Sequence, residues 1–109
     1  MFQYVIDWSS LQERRKFRVQ VKNRALLICA VEGMAYTILD KCPHLGFPLS
    51  LGKFENGVIQ CKEHALEINV QTGTVLNIQK ADFLKLSEYD RFVRTFPTKI
   101  EDGKVYVDL

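Results

Sequence analysis

The sequence predicts an all-β protein, an antiparallel sandwich or barrel made of short strands. Apolar and polar residues alternate over residues 16–22, which is typical of a strand with one buried face. Asp102-Gly103 lies between two β-rich runs, and Asp-Gly is a strong signal for a hairpin turn. Turn residues recur about every 8–12 residues, as they do in sandwiches and barrels. With 109 residues, the chain is predicted to form one domain over residues 1–109.

The first elements follow in chain order. Ser10 and Glu13 have the spacing of a capping box, so a single helical turn is predicted to begin at Ser10. After the strand at 16–22, the continuous apolar run 25–32 predicts a strand that is covered on both faces. A turn at glycine then leads to a third predicted strand at 34–39.

The C-terminal half contains a region rich in turns before the last strands. Residues 40–73 hold four of the six glycines and two of the three prolines, so we expect two loops that each end a short β segment. Apolar side chains in residues 81–92 have partly helical spacing, which predicts either a short helix or a compact loop. The runs that flank Asp102-Gly103 predict a hairpin over residues 99–107.

Charge and hydropathy exclude several classes of protein. The formal net charge is +2, without the clustered basic residues that nucleic acids or anionic membranes require. No apolar run approaches the roughly 18 residues of a membrane span. The N-terminus lacks the basic and apolar regions of a signal peptide, so we expect a cytoplasmic protein. The oligomeric state is open, and a monomer is the expectation.

The chain has three cysteines, Cys29, Cys42 and Cys61, and two histidines, His44 and His64. An odd number of cysteines without an export signal argues against a disulfide framework. Cys29 lies in the apolar run 25–32 and is predicted to be a small core residue. The other two cysteines and both histidines fall in a single window of 23 residues.

These four residues form a candidate metal site. Cys42-x-His44 is followed, after sixteen residues, by Cys61-x-x-His64, so each loop supplies one thiolate and one imidazole. This donor set suits zinc, iron–sulfur or copper. A structural zinc module is an alternative, although zinc fingers usually pair cysteine with cysteine and histidine with histidine. No residues remain for a catalytic triad, a phosphate loop or a carboxylate pair, so we do not expect an enzyme.

At these residues the sequence resembles the Rieske 2Fe–2S proteins. The two ligand loops of that family are similar to residues 42–46, Cys-Pro-His-Leu-Gly, and residues 61–64, Cys-Lys-Glu-His. The run at 68–73 resembles the family's Phe-Asp-x-x-Thr-Gly. Residues 95–97, with the hairpin at Asp102-Gly103, are similar to the end of small Rieske ferredoxins.

The resemblance implies a Rieske fold, with a small cluster-binding subdomain at about residues 40–73 inserted in a β base domain. It implies one 2Fe–2S cluster, with Cys42 and Cys61 on one iron and His44 and His64 on the other. Histidine ligation makes the cluster less negative and raises its reduction potential above that of an all-cysteine cluster.

Differences within the family imply the low-potential, ferredoxin-type branch. Phe47 and Glu63 occupy the positions of the two cysteines that form a disulfide in respiratory Rieske proteins. Leu66 and Ile68 occupy the positions of a serine and a tyrosine that donate hydrogen bonds to the cluster sulfurs there. Without these donors the reduced state is less stabilised.

Other departures concern the surroundings of the site. Lys62 and Ala65 stand where the family usually has proline and a glycine or an aromatic residue. The proline-rich loop of the family is replaced by the longer segment 77–91, which contains no proline. The apolar residues 45–49 beside His44 predict inward packing, an exposed rim, or both for different side chains.

The resemblance implies a soluble one-electron carrier that passes electrons from a flavoprotein reductase to a terminal oxygenase or another acceptor. Terminal Rieske oxygenases add a large domain that 109 residues cannot hold, so the prediction is a carrier. Two alternatives stay open: a small iron–sulfur subunit of a multi-subunit oxidoreductase, and the structural zinc module.

Overall fold

The computed structural model describes residues 1–109, and it consists of ten short strands in three antiparallel sheets. The all-β prediction is therefore confirmed. In chain order the strands are β1 (Phe2–Asp7), β2 (Lys16–Val21), β3 (Arg24–Val31), β4 (Met34–Leu39), β5 (Lys53–Glu55), β6 (Val58–Gln60), β7 (Glu67–Asn69), β8 (Thr95–Phe96), β9 (Thr98–Glu101) and β10 (Lys104–Asp108). The helices are α1 (Trp8–Arg14) and α2 (Ile78–Phe83), with 3₁₀ turns at Leu49–Leu51 and Glu88–Asp90. Neither helix is long and apolar enough to cross a membrane.

A four-stranded sheet in the order β2-β3-β4-β8 forms the middle of the molecule. A three-stranded sheet, β1-β10-β9, covers one face, and a second three-stranded sheet, β5-β6-β7, lies on the other side. All three strands predicted between residues 16 and 39 are confirmed within about a residue at their ends.

The position of strand β3 between two cores explains why its sequence is continuously apolar and does not alternate. Successive side chains of a strand point to opposite faces, so Leu26 and Ile28 face one core while Leu27 and Cys29 face the other. All four side chains are fully buried. The prediction of a strand covered on both faces is confirmed, and so is the prediction that Cys29 is a core residue.

The central sheet thus separates two cores. The hairpin-side core lies under β1, α1 and β10 and contains Ile6, Leu11, Leu26, Ile28, Ala35, Phe96, Val105 and Val107. The loop-side core contains Leu27, Cys29, Ile38, Cys42, Leu49, Ile59, Cys61, Leu66, Ile68, Val70, Val75, Ala81, Leu86 and Val93. Only the loop-side core includes the two cysteines of the candidate site.

The C-terminal hairpin forms where it is predicted. Asp102 and Gly103 have φ values of 52° and 73°, the positive values that a type I′ turn requires. Lys104 pairs with Glu101 directly across this turn. Strand β1 completes the sheet by pairing with β10, and it carries a register shift between Tyr4 and Ile6. We did not predict β1 from the sequence.

The two helical predictions need correction. Helix α1 begins at Trp8 with Asp7 as N-cap, and no side chain caps it, so the capping box at Ser10 is wrong. The chain passes directly from β1 into α1 at Asp7, which places Ser10 inside the helix. Helix α2 begins at Ile78, three residues before the predicted window, and only a 3₁₀ turn at Glu88–Asp90 follows within it.

Candidate metal centre

The first Cys/His loop, residues 42–47, is a tight turn closed by its own backbone. The Cys42 amide donates to the Phe47 carbonyl oxygen at 2.7 Å, and the Gly46 amide donates back to the Cys42 carbonyl oxygen at 3.0 Å. Leu45 and Gly46 have φ values of 67° and 74°, which reverse the chain directly after His44. The loop therefore presents the Cys42 and His44 side chains from a fixed backbone.

The second Cys/His loop, residues 61–66, repeats this arrangement. The Cys61 amide donates to the Leu66 carbonyl oxygen at 2.8 Å, and the Ala65 amide donates to the Cys61 carbonyl oxygen at 2.9 Å. In both loops the cysteine thus bonds to the residues four and five positions later. Sequence reasoning missed this equivalence because Ala65, with φ of 58°, stands where the first loop has glycine.

The two loops bring the four predicted site residues together. Cys42 and Cys61 are each 1% exposed and belong to the same core. The rings of His44 and His64 lie edge to face with centroids 4.3 Å apart. The Nδ1 atoms of both histidines are buried without a hydrogen-bond partner. A buried polar atom left without a partner costs about 1–3 kcal/mol, so these atoms indicate a bound group.

Burial dominates the electrostatics of Cys42. It raises the pKa of the Cys42 thiol well above its usual value, and a hydrogen bond with the neighbouring Cys61 thiol raises it further. A backbone hydrogen bond from His44 acts in the opposite direction. Because metals bind the thiolate, loading this site releases protons and replaces a neutral thiol by a charge that the metal compensates.

The donor set suits a metal group that both loops hold together. Each loop supplies one thiol and one imidazole, and these soft and borderline donors are ligands that iron–sulfur clusters and zinc accept. The unpartnered Nδ1 atoms and the buried thiol pair are the observations that support this fit.

A buried carboxylate links the segments on either side of the first Cys/His loop to each other and to the central sheet. The Asp40 side chain accepts hydrogen bonds of 2.7 Å from the Ser50 amide, the Ser50 hydroxyl and the Arg18 guanidinium. The ammonium of Lys16 donates to the Ser50 carbonyl oxygen. Sequence reasoning missed this network, although an acidic residue between an apolar strand and Cys42 was its signal.

The segment 77–91, whose role the sequence left open, packs beneath the site. Ala81 and Leu86 lie in the loop-side core with Cys42 and Cys61. The segment therefore supplies apolar contacts to the same core that buries the thiols, in place of a proline-rich loop.

Of the apolar residues beside His44, some pack inward and others are exposed, which is one of the outcomes that the sequence left open. Leu49 is fully buried, whereas Leu45 is 74% exposed and Phe47 is 40% exposed. The Phe47 ring lies against His64 of the other loop, with centroids 5.8 Å apart. An aromatic contact therefore joins the two loops at the position where respiratory relatives are expected to have a disulfide. All three cysteines of this chain are free thiols.

Comparisons with known proteins agree on the family. The family model for the Rieske [2Fe-2S] domain matches residues 1–97. The ferredoxin component of biphenyl 2,3-dioxygenase from Rhodococcus jostii (strain RHA1) is 32% identical over 84 residues, covering 77% of this chain and 70% of the relative. The ferredoxin component of the naphthalene 1,2-dioxygenase system from Pseudomonas putida is 29% identical over 101 residues, covering 93% and 88%.

Solved structures give the same result for the fold. A chain from the complex of reduced oxygenase and oxidized ferredoxin in carbazole 1,9a-dioxygenase has a TM-score of 0.78 and 27% identity, covering 97% of this chain and 91% of that one. Other matches have TM-scores of 0.82 and 0.83 but identities of 17% and 22%, so they show the fold alone. This chain spans only 33% and 29% of the length of those larger proteins.

The match over most of the chain, the fold and the four converging donors lead to one conclusion. The chain belongs to the Rieske [2Fe-2S] domain family, and its cofactor is one 2Fe–2S cluster.

Proposed function

We propose that this chain is a one-electron carrier in which Cys42 and Cys61 hold one iron of the cluster. His44 and His64 hold the other iron through their Nδ1 atoms. The observation that carries the proposal is the pair of buried, unpartnered Nδ1 atoms on rings 4.3 Å apart, beside two thiols that are each 1% exposed. No other side-chain nitrogen or oxygen in the structure is buried without a partner.

When bound, a 2Fe–2S cluster supplies a centre that gains and loses one electron. The residues of this chain set its surroundings. The loop-side core excludes water from the thiol side, and the two imidazoles remain only half-buried on the opposite side. Leu66 and Ile68 offer no hydroxyl donor, which supports a potential at the low end for histidine-ligated clusters.

The proposed partners are a flavoprotein reductase as electron donor and a terminal oxygenase as acceptor. This rests on relatives that are named as ferredoxin components of dioxygenase systems, and on the complex of an oxygenase with a ferredoxin. Leu45 and Phe47 are exposed apolar side chains on the first Cys/His loop. Electron-transfer interfaces are small, often below about 1,200 Å², so a rim of this size supports weak docking.

We further propose the domain organisation and location of the chain. Residues 40–73 form the cluster-binding subdomain, inserted in the β base of a single domain over 1–109. Sheet β5-β6-β7 and both Cys/His loops lie within those limits, which supports this division. The three free thiols support a reducing compartment, the cytoplasm. A monomer is the proposed oligomeric state.

Metal analysis and EPR test the cofactor and the ligand set. Protein purified without oxygen should contain iron and acid-labile sulfide in equal amounts and no zinc. After reduction with dithionite, its EPR spectrum should show the lower average g value of mixed histidine and cysteine ligation. Zinc without sulfide would support the structural module instead. An average g value typical of all-cysteine clusters would exclude the two histidines as ligands.

Mixing experiments test the carrier role. The reduced protein should transfer one electron to a terminal oxygenase and be reduced again by a flavoprotein reductase. A stable complex with other subunits, isolated from the native cell at high salt, would support the alternative of a fixed iron–sulfur subunit. Free exchange of the chain between two partners would exclude that alternative.

A further inference from the structure

Asn77 occupies the N-cap position of helix α2 but does not cap this helix with its side chain. Its Oδ1 accepts a hydrogen bond of 2.9 Å from the Glu67 amide, and its Nδ2 donates one of 2.8 Å to the Ala65 carbonyl oxygen. Asparagine is preferred at N-caps because its side chain satisfies a free amide of the first helical turn. Here the side-chain amide instead binds Ala65 in the second Cys/His loop and Glu67 at the start of β7.

The two hydrogen bonds of the Asn77 side chain continue the antiparallel backbone pairing between residues 67–68 and 75–76. Ile68 pairs with Val75 as an antiparallel bridge, and the Leu76 amide donates to the Glu67 carbonyl oxygen at 2.7 Å. After Leu76 the main chain turns away into α2. The Asn77 amide then supplies one acceptor and one donor to Glu67 and Ala65, as the next residue of a strand would.

The bonds act on the part of the loop that follows His64. Ala65 has a φ of 58°, a left-handed conformation that costs a residue other than glycine about 1–2 kcal/mol. The Ala65 amide is held by the Cys61 carbonyl oxygen, and the Ala65 carbonyl oxygen is held by Asn77. Both peptide groups beside the Ala65 α-carbon are therefore fixed, and the backbone of His64 is fixed with them.

We propose that Asn77 is a positioning residue that keeps Ala65 in its left-handed conformation and thereby orients the His64 imidazole toward the metal. This inference rests on the proposed function, because it needs His64 to be a ligand. It links segment 77–91 to the metal centre through one side chain. Both hydrogen bonds of the Asn77 side chain go to backbone groups, so its effect passes through the backbone of the second loop.

The test compares three variants of the cluster-loaded protein. Asn77→Leu has a similar size and removes both hydrogen bonds. Asn77→Asp keeps an acceptor for the Glu67 amide but loses the donor to Ala65. Asn69→Leu is the matched control, because the Asn69 Oδ1 accepts a 2.9 Å hydrogen bond from the Gln71 amide in a turn whose backbone has no hydrogen bond to either Cys/His loop.

The readouts are the EPR spectrum of the reduced protein and amide exchange. We expect Asn77→Leu to bind the cluster with at least one shifted g value and broader lines, while Asn69→Leu keeps the wild-type spectrum. The Glu67 amide should exchange roughly fivefold to tenfold faster in Asn77→Leu, as loss of one hydrogen bond of about 1 kcal/mol implies. A wild-type spectrum for both Asn77 variants, or an equal shift in Asn69→Leu, would overturn the inference.

Folding defects do not block this test. If Asn77→Leu does not fold, the result depends on Asn77→Asp, which keeps the bond to the Glu67 amide. A shifted spectrum for Asn77→Asp supports the inference, and an unshifted one overturns it. Failure of the proposed function has a different signature, because it would be seen in the wild-type spectrum, before any variant is compared.

Discussion

Cys29, Cys42 and Cys61 lie in one core, but only Cys42 and Cys61 stand in loops, where a side chain can reach a bound metal. Cys29 is in the middle of β3, where its backbone pairs with Tyr36 and Lys16 of the neighbouring strands. Cys42 and Cys61 each begin a loop that turns back on the cysteine and carries a histidine. The position in a loop, and not burial, therefore separates the proposed ligands from the core cysteine.

The ligand set leads to the first prediction. Cys61→Ser should abolish the cluster, because the only remaining free thiol outside the site is held in β3 and cannot reach the second loop. Visible absorption of the purified protein measures the loss. Cys29→Ala is the matched control and should load the cluster normally. A fully loaded Cys61→Ser protein would show that the site is wrongly assigned.

Burial of Cys29 gives a prediction for stability at alkaline pH. Burial raises the pKa of the Cys29 thiol from 9.0 to about 12. Between these values the unfolded chain loses the proton while the folded protein keeps it, so the free energy of unfolding falls as the pH rises. The slope from this group is about 1.4 kcal/mol per pH unit.

Denaturant titrations of wild type and Cys29→Ala from pH 8 to pH 11 isolate this contribution. The wild type should lose stability more steeply above pH 9.0 than the variant does. Parallel curves would show that the Cys29 thiol ionises equally in the folded and unfolded protein.

Leu66 provides a prediction for the potential. Its side chain is fully buried in the core that holds both cysteines, and its carbonyl oxygen closes the second Cys/His loop. Leu66→Ser should raise the reduction potential by an amount on the order of tens of millivolts, because a hydroxyl donor near the cluster sulfurs stabilises the reduced state. Leu49→Ser places a hydroxyl elsewhere in the same core and is the control. Voltammetry measures both, and equal shifts would contradict a specific hydrogen bond.

At the scale of elements, Gly52 fixes how the first loop meets sheet β5-β6-β7. Gly52 follows the 3₁₀ turn at Leu49–Leu51, and a β-carbon there would collide with the Gln60 carbonyl oxygen, directly before Cys61. Its φ of −86° suits any residue, so the need for glycine comes from this close approach alone. The contact sets the spacing between the ends of the two Cys/His loops.

Gly52→Ala should therefore destabilise the protein and reduce cluster occupancy. Gly33→Ala is the control: its φ is 81°, but nothing lies within 4 Å of the added carbon, so its cost is limited to about 1–2 kcal/mol of left-handed backbone strain. Thermal unfolding and iron content measure both effects. Equal destabilisation with full iron content in both variants would show that the backbone approach at Gly52 relaxes freely.

Sequence reasoning succeeded for elements whose local pattern and tertiary environment agree. Within residues 16–39, apolar side chains either alternate with polar ones or follow one another without interruption, because the central sheet has a core on each face. Asp102-Gly103 was recognised as a turn because both residues readily adopt the positive φ values that this turn requires. The candidate site residues stand out in the sequence because cysteine and histidine are rare and closely spaced here. The capping box failed because α1 begins at Trp8, directly after β1, and Ser10 therefore lies inside the helix.

Features that depend on contacts distant in sequence were not predictable. Strand β1 exists because β10 offers it a partner about 100 residues later. The Asp40 network joins residues from β2, the end of β4 and the 3₁₀ turn that follows the first Cys/His loop, and none of its members forms a local motif. The tether from Asn77 to the second loop is of the same kind, since its partners lie 10 and 12 residues away.

At the scale of the whole molecule, the central sheet separates the metal centre from a core that does not depend on it. The thiols of Cys42 and Cys61 belong to the loop-side core, and the two inward Nδ1 atoms lack partners in the protein itself. The hairpin-side core contains no residue of the site. With these residues as the proposed ligands, metal binding should contribute free energy directly to the loop-side core and to the hairpin-side core only through the central sheet.

Removal of the metal should consequently loosen the two halves unequally. In the apoprotein, the amides of Cys42 and Cys61, which close the two loops, should lose most of their protection from hydrogen exchange. The amides of β9 and β10 should keep theirs, because their partners and the hairpin-side core remain intact. Exchange measured by mass spectrometry on the holoprotein, the apoprotein and the protein reloaded with iron and sulfide tests this. A uniform loss of protection would mean that the two cores unfold as one unit, and protection retained in both loops would mean that the loops are preformed without metal.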